Sequence, residues 1–165
     1  MEGYKIHNCE HVREHIDSVI AETQLHTYKQ AAGIGRRVGG SLKRNNLSEY
    51  KYINTRRVLT LRELYKKTIR LCEELNIADA VLLMYYLKLL PNDFLDIQDT
   101  WVDKTLMNRG FSIALTNSHI QIEDELVHVP KYSAIEFSPC TIHSIPKVDN
   151  EQSWLVLSIA NYKKL

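Results

Sequence analysis

The chain has 165 residues, of which 44% are hydrophobic, and a formal net charge of +1, so we predict a single domain (1–165) that buries roughly two thirds of its unfolded surface. Its three cysteines are scattered and form no Cys-x-x-Cys pair, which excludes a disulfide framework or a zinc ribbon and favours a reducing compartment. The N-terminus lacks an apolar signal segment and the longest apolar run is too short to span a bilayer, so we expect a soluble, cytoplasmic protein without a membrane partner.

The first predicted element is a helix from about Cys9 to about Gln24. Asn8 can cap its N-terminus, and apolar residues recur at the spacing of one helical face at Val12, Ile16, Val19 and Ile20. His11 and His15 lie one turn apart and could in principle hold a metal ion. The polar outer face of an amphipathic helix accounts for them equally well, and we predict no metal site here.

Residues 31–46 contain four glycines and four basic residues, and we predict a loop. No Lys-Ser/Thr follows the glycines as in a P-loop, and Val38 replaces the third glycine of a dinucleotide-binding fingerprint. The glycines could still let backbone amides approach a phosphate, which basic side chains would neutralise. The candidate nucleic-acid-binding residues are Arg36, Arg37, Lys43, Arg44, Arg56 and Arg57.

Charge is segregated along the chain. Residues 29–70 contain twelve basic and two acidic residues, a net charge of +10, whereas residues 71–127 contain ten acidic and three basic residues, a net charge of −7. This segregation indicates either an electropositive surface for a nucleic acid or another anionic partner, or two segments that neutralise each other within the fold.

A second helix is predicted from about Leu61 to about Leu75, because Thr60 and Glu63 have the spacing of a capping box and apolar residues follow at helical spacing. From Val81 to Ala160, short apolar runs alternate with turn residues, which is typical of a β-sandwich or closed barrel. We expect the helix to lie against a sheet of strands near Val81 to Leu90, Gly110 to Thr116, Ser133 to Phe137 and Trp154 to Ala160.

Side chains alternate along a strand, so the last of these strands should present two different faces. We expect Leu155, Leu157 and Ile159 on one face, and Trp154, Val156 and Ser158 on the other.

Several motifs follow in a fixed order over about one hundred residues. They are Asn92-Asp93-Phe94, Gln98-Asp99-Thr100 after three further residues, Arg109-Gly-Phe-Ser, Val129-Pro with Phe137, and His143. In order and spacing, residues 56–160 resemble the double-stranded β-helix of iron- and 2-oxoglutarate-dependent oxygenases, particularly the compact prolyl-hydroxylase-like proteins of bacteria and phages. That family has Gly-Asp-Phe, then a His-x-Asp pair of iron ligands, and later a distal His ligand.

The chain departs from the site that the resemblance implies. Gln98 and Thr100 stand at the positions of the first His and the carboxylate, and Ser153-Trp154 stands where the family has an Arg for 2-oxoglutarate. Only His143 is retained, and two histidines with one carboxylate are what Fe(II) requires in such a site. We therefore expect neither Fe(II) nor 2-oxoglutarate as a cofactor and no catalytic residues. The predicted ligand-binding residues are Gln98, Thr100, His143 and Trp154.

The predicted fold is α+β, a jelly-roll or cupin-like double-stranded β-helix (78–165) braced by two N-terminal helices in a helical and basic-loop region (1–77). The predicted function is that of a catalytically degenerate, oxygenase-like protein that binds an anionic ligand or partner, whether a nucleotide, a nucleic acid or a protein. One alternative is an active Fe(II)/2-oxoglutarate-dependent dioxygenase with an unusual ligand set, which could recruit His119 or His128. Another is a structural or interaction protein. If the alignment is correct, Gln98 and His143 lie within a few ångströms of each other at the mouth of the barrel.

Overall fold

The structure is a computed structural model that describes residues 3–25, 29–30, 41–44, 49–52, 62–89, 91–92, 94–98, 108–138, 143–146 and 148–160. Helix α1 spans Arg13–Thr23 after a 3₁₀ turn at Glu10–Val12, and helix α2 spans Arg62–Glu74, followed by a 3₁₀ turn at Ala78–Ala80. The strands are β1 (Tyr4–Asn8), β2 (Lys29–Gln30), β3 (Ser41–Arg44), β4 (Glu49–Tyr52), β5 (Val81–Leu89), β6 (Leu95–Gln98), β7 (Asn108–Ala114), β8 (Ser118–Ile122), β9 (Glu125–Val129), β10 (Ser133–Phe137), β11 (His143–Ile145) and β12 (Gln152–Ala160).

These strands form two antiparallel sheets. The large sheet has the order β1-β10-β7-β12-β5-β4-β2, and the small sheet has the order β3-β6-β11-β8-β9. From β5 onward the chain crosses between the sheets, so that β5, β7, β10 and β12 lie in the large sheet and β6, β8, β9 and β11 lie in the small one. This is the jelly-roll connectivity of a double-stranded β-helix, and it confirms the predicted α+β fold.

A barrel core fills the space between the two sheets. It is formed by Tyr85, Leu87, Leu89, Ala114, Ile120, Ile122, Val127, Val129, Ile135, Phe137, Ile145 and Trp154. Because both sheets contribute inward-facing side chains, the small sheet is held against the large one by apolar burial.

A second cluster lies on the other face of the large sheet, where α1 and α2 cover it. Ile16 and Val19 of α1 and Leu64 and Leu71 of α2 pack with strand residues that include Leu155, Leu157 and Ile159. The predicted position of the second helix is therefore confirmed. The alternation predicted for the last strand is also confirmed, since Trp154 lies in the barrel core and Val156 packs against that core.

Both predicted helices are present with slightly different limits. The prediction that Asn8 is the N-cap is wrong by one residue, because the cap position of the first turn is Cys9. Oδ1 of Asn8, just before it, still accepts a hydrogen bond from the backbone N–H of Glu10 at 2.9 Å. That turn is 3₁₀, and for this reason the α-helix begins only at Arg13. Thr60 of the predicted capping box lies outside the described residues.

The N-terminal region contains strands that its sequence did not predict. The prediction of a loop over 31–46 is wrong for Ser41–Arg44, which forms β3 and pairs with β6 from Ser41–Gln98 to Arg44–Leu95. Strand β1 pairs with β10 at the edge of the large sheet, with Ile6 opposite Ile135. Backbone pairing to an existing sheet edge needs no apolar alternation, so the local pattern of residues 1–77 did not reveal that they extend both sheets.

Candidate functional site

His143 is the first residue of β11 and lies beside the barrel core. Its backbone pairs with Ile97 of β6 on one side and with Ile122 of β8 on the other. Its half-buried ring contacts the ring of Phe137, a core residue, with 4.6 Å between the ring centroids. The residue that the resemblance identified as the retained histidine is therefore packed next to the barrel core.

Gln98 ends β6, the strand that neighbours β11. In the register of the small sheet it pairs with Ser41 of β3 and lies one residue beyond the Ile97–His143 pair. The fold thus brings the backbones of Gln98 and His143 together at one end of two adjacent strands. Convergence of their side chains stays a prediction. Asp99, Thr100 and Trp101 lie outside the described residues.

Trp154 is a barrel-core residue that carries a polar hydrogen, on its indole nitrogen. It lies on β12 between Leu87 of β5 and Ala114 of β7, and only 1% of its surface is exposed. Its indole Nε1 is buried and has no hydrogen-bond partner among the described residues. An indole nitrogen can only donate, so the barrel core contains a hydrogen-bond donor that lacks an acceptor from the described part of the protein.

Gln152 lies two residues before Trp154 on β12, and the polar atoms of its side chain have hydrogen-bond partners. Gln152 is buried, its Oε1 accepts a hydrogen bond from the backbone N–H of His119 at 2.9 Å, and its Nε2 donates to the backbone oxygen of Pro146 at 3.1 Å. Gln152 therefore links β12 to the small sheet and to the segment after β11. Nothing in the residue pattern indicated this role.

His119 and His128 lie on the outer face of the small sheet. Along β8 and β9 their neighbours Ile120, Val127 and Val129 belong to the barrel core, and side chains alternate along a strand. Neither histidine faces the barrel interior, which contradicts an iron site that recruits one of them.

An ionic cluster lies on the helix-side face of the large sheet. Nε2 of His7 is 2.7 Å from Oε1 of Glu136, and Nε of Arg109 donates a hydrogen bond to Oε2 of the same carboxylate. Burial raises the pKa of Glu136, but the hydrogen bonds from His7 and Arg109 outweigh burial, so that the pKa lies below its usual value. This cluster connects β1, β10 and β7, and it lies on the face of the large sheet opposite the barrel core.

The described cysteines are unreactive thiols. Burial raises the pKa of Cys9 to about 11 and that of Cys72, with a smaller contribution from Glu73, to about 12. Because the thiolate is the reactive form, neither side chain is a candidate nucleophile or metal ligand at neutral pH. Cys140 lies outside the described residues.

Of the basic residues predicted to bind nucleic acid, Lys43 and Arg44 lie on β3, the edge strand of the small sheet. Arg36, Arg37, Arg56 and Arg57 lie outside the described residues, and nucleic-acid binding stays a prediction.

In the described ranges, no three His, Cys, Asp or Glu side chains come together as metal ligands would. No helix in the same ranges is long and apolar enough to cross a membrane.

No family model and no curated protein matches the sequence. Solved structures do resemble the fold. A prolyl-4-hydroxylase from Pseudomonas putida aligns with a TM-score of 0.63 at 10% identity, over 96% of this chain and 92% of its own. A prolyl hydroxylase from Trichoplax adhaerens, solved with a fragment of a hypoxia inducible factor, aligns with a TM-score of 0.65 at 12% identity, over 99% and 86% of the two chains.

A third similar structure is HygX from Streptomyces hygroscopicus with nickel and 2-oxoglutarate bound, with a TM-score of 0.65 at 7% identity over 98% of this chain and 84% of that one. At such low identities the similarity concerns the fold. It confirms the prolyl-hydroxylase-like double-stranded β-helix expected from residues 56–160 and extends it to nearly the whole chain.

Proposed function

We propose that this chain, whose fold is the prolyl-hydroxylase-like double-stranded β-helix of 2-oxoglutarate oxygenases, binds a small anionic molecule in its barrel without iron chemistry. Trp154 and His143 are the residues to which we assign the contacts with the anion, and Gln98 and Thr100 remain proposed members of the same pocket. The observation that carries this proposal is the buried Nε1 of Trp154 without a partner among the described residues.

A buried donor without an acceptor costs about 1–3 kcal/mol, because its hydrogen bond to water is lost and not replaced. A bound carboxylate or phosphate oxygen would supply the acceptor, and hydrogen bonds to a charged oxygen are roughly twice as strong as neutral ones. Around Trp154 the core is apolar, with Leu87 and Ala114 as its cross-strand neighbours. This setting favours a short carbon chain that carries a carboxylate over a highly polar ligand.

His143 supports the same class of ligand. Its ring lies against Phe137, which belongs to the barrel core together with Trp154. An imidazole N–H can donate a hydrogen bond to an anion in either protonation state. We therefore assign His143 as a second contact to an anion in the same barrel, which suits a dicarboxylate better than a cation.

The groups beside His143 support a site without Fe(II). The neighbouring strand ends in Gln98, which offers a neutral amide where a charged or imidazole ligand is needed. When bound, Fe(II) would supply the oxidising chemistry of the similar enzymes, but the residues at these positions do not fit it.

Fe(II) and Mn(II) should accordingly bind no more tightly than about 1 mM, and 2-oxoglutarate should not be converted to succinate. Metal content of the purified protein and succinate release under air are the measurements. A stoichiometric metal, or succinate release that disappears in His143→Ala, would make the protein an oxygenase.

Ligand binding is tested by titration with 2-oxoglutarate, succinate and inorganic phosphate in the presence of EDTA, followed by calorimetry. At least one of the two dicarboxylates should bind with a dissociation constant of about 1 mM or tighter. Trp154→Phe keeps an aromatic ring but removes the N–H donor, and it should weaken this binding at least about ten-fold, the equivalent of one hydrogen bond to a charged group.

The matched control is Tyr86→Phe. Tyr86 lies on the neighbouring strand β5 but faces the helix side, where its hydroxyl donates to Oγ of Ser153 at 3.2 Å. Like Trp154→Phe, the control keeps an aromatic ring and removes a buried hydrogen-bond donor, yet it should leave ligand affinity unchanged. Equal effects of the two variants, or binding that is seen only when EDTA is left out, would contradict the proposal.

A further inference from the structure

Two histidines lie side by side on the outer face of the small sheet, apart from the barrel. His119 of β8 is the direct cross-strand partner of His128 of β9. Their ring centroids are 4.9 Å apart, and the ring planes are inclined by 33°. His128 is exposed, so solvent and dissolved ions have access to the pair.

The register of the hairpin brings these side chains close. A two-residue turn, Glu123-Asp124, connects the Ile122–Glu125 pair, and Glu123 has a φ of +52°, as a tight hairpin turn requires. In an antiparallel hairpin, hydrogen-bonded and non-hydrogen-bonded pairs alternate, beginning with a hydrogen-bonded pair at the turn. Ile122–Glu125 is that first pair, so His119–His128, three pairs further on, is a non-hydrogen-bonded pair. The hydrogen bond of the His119 backbone supports this assignment. Its N–H points away from β9 and donates to Oε1 of Gln152. Side chains approach most closely in such pairs.

The pair includes a buried ring nitrogen without a partner among the residues that the structure describes. Nδ1 of His119 is buried and makes no hydrogen bond to any described residue. A metal ion bound between the rings would be a partner for an imidazole nitrogen. The neighbouring side chain on this face, Gln121, donates through Nε2 to the backbone oxygen of Glu123 at 3.1 Å and offers no third strong ligand.

We propose that His119 and His128 form a binding site for a divalent transition-metal ion of the class that prefers imidazole ligands, Cu(II) or Zn(II). Waters would complete the coordination, so that the site stays open to a further ligand.

The spacing of the rings fits such an ion. A metal lies about 3.2 Å from the centre of a ligating imidazole ring, given a metal–nitrogen bond of about 2.0–2.1 Å. Two ring centroids 4.9 Å apart then correspond to a nitrogen–metal–nitrogen angle of about 100°, between the square-planar and tetrahedral values. The rings must turn to direct one nitrogen each at the ion, and rotation about χ2 of histidine is soft.

Titration of the metal-free chain with CuCl₂ and with ZnCl₂, followed by calorimetry and by the NMR signals of the histidine rings, tests the proposal. We expect one ion per pair, a dissociation constant tighter than about 0.1 mM, and tighter binding of Cu(II) than of Zn(II). Replacement of the exposed His128 by glutamine should weaken binding at least ten-fold while the protein stays folded. Only the ring signals of His119 and His128 should respond to the first equivalent of metal.

The control variant is His11→Gln, which also removes one exposed histidine but lies in the 3₁₀ turn before α1. It should bind both metals as the unmodified chain does. The proposal is overturned if His128→Gln binds metal as tightly as the unmodified chain, if His11→Gln abolishes binding, or if neither metal binds more tightly than about 1 mM. Because neither variant touches the barrel, these outcomes are independent of the anion site.

Discussion

Replacement of Leu71 by alanine should lower the free energy of unfolding by about 2–5 kcal/mol. Leu71 lies on α2, is 0% exposed, and packs in the cluster that joins α1, α2 and the large sheet. The substitution removes apolar contacts and leaves a cavity between the helix and the sheet. Since domains are stable by only about 5–15 kcal/mol, the loss should be evident as a lower midpoint of urea unfolding at an unchanged slope.

Leu25→Ala is the matched control. It is the same substitution at a side chain that is 76% exposed, just after α1, and it should change stability by no more than about 0.5 kcal/mol. A loss below about 1 kcal/mol for Leu71→Ala would mean that the helices are not part of the cooperative core.

Replacement of Glu136 by glutamine should have the second-largest effect, a loss of about 2–3 kcal/mol at neutral pH. The glutamine has nearly the same shape, but it carries no charge for Arg109 and His7. The side chains of Glu136 and Arg109 are each 19% exposed, and this partial access to solvent keeps the loss below the ~3–5 kcal/mol of a fully buried broken pair.

The stabilisation by Glu136 should also depend on pH. Its pKa is lowered in the folded protein, so the unfolded chain binds the proton more readily and stability rises with pH across that interval. The contribution is complete above the usual glutamate pKa of about 4.3 and is lost as the pH falls through the lower folded-state value. The difference in unfolding free energy between the unmodified chain and Glu136→Gln should therefore shrink as the pH is lowered from about 5 to 3.

Glu63→Gln is the control for the loss of a carboxylate. Nζ of Lys66 lies 3.5 Å from Oε1 of Glu63, and both side chains are largely exposed. The substitution should therefore lower the free energy of unfolding by at most about 1 kcal/mol. A stability difference for Glu136→Gln that stays constant from pH 7 to pH 3 would show that the ion cluster is not its cause.

The local pattern of the sequence correctly predicted the two faces of the last strand. Leu155 and Leu157 were separated from Trp154 by strand alternation alone, and the structure places them on opposite faces of β12. The helices were equally predictable, because apolar residues three and four positions apart reveal which face is buried.

Strands held by backbone pairing at a sheet edge were not predictable in this way. Strand β3 consists of Ser-Leu-Lys-Arg, and its only visible signal was basic charge in a segment expected to be a loop. It exists because β6 offers a free edge to pair with, and β6 is more than fifty residues away in the chain. A pairing partner at that distance does not affect the local pattern of apolar and polar residues, so this pattern cannot predict the pairing.

The same distinction holds for the candidate sites. The motif order identified His143, Gln98 and Trp154, whereas the pairing of His119 with His128 followed only from the register of β8 and β9. Only the tertiary structure decided that Trp154 carries a buried donor without a described acceptor and that His119 and His128 face outward. Local periodicity determines which side chains share a face of a strand or helix. Which strand lies next to it depends on contacts between residues far apart in the chain, and these contacts decide whether a polar side chain has a hydrogen-bond partner.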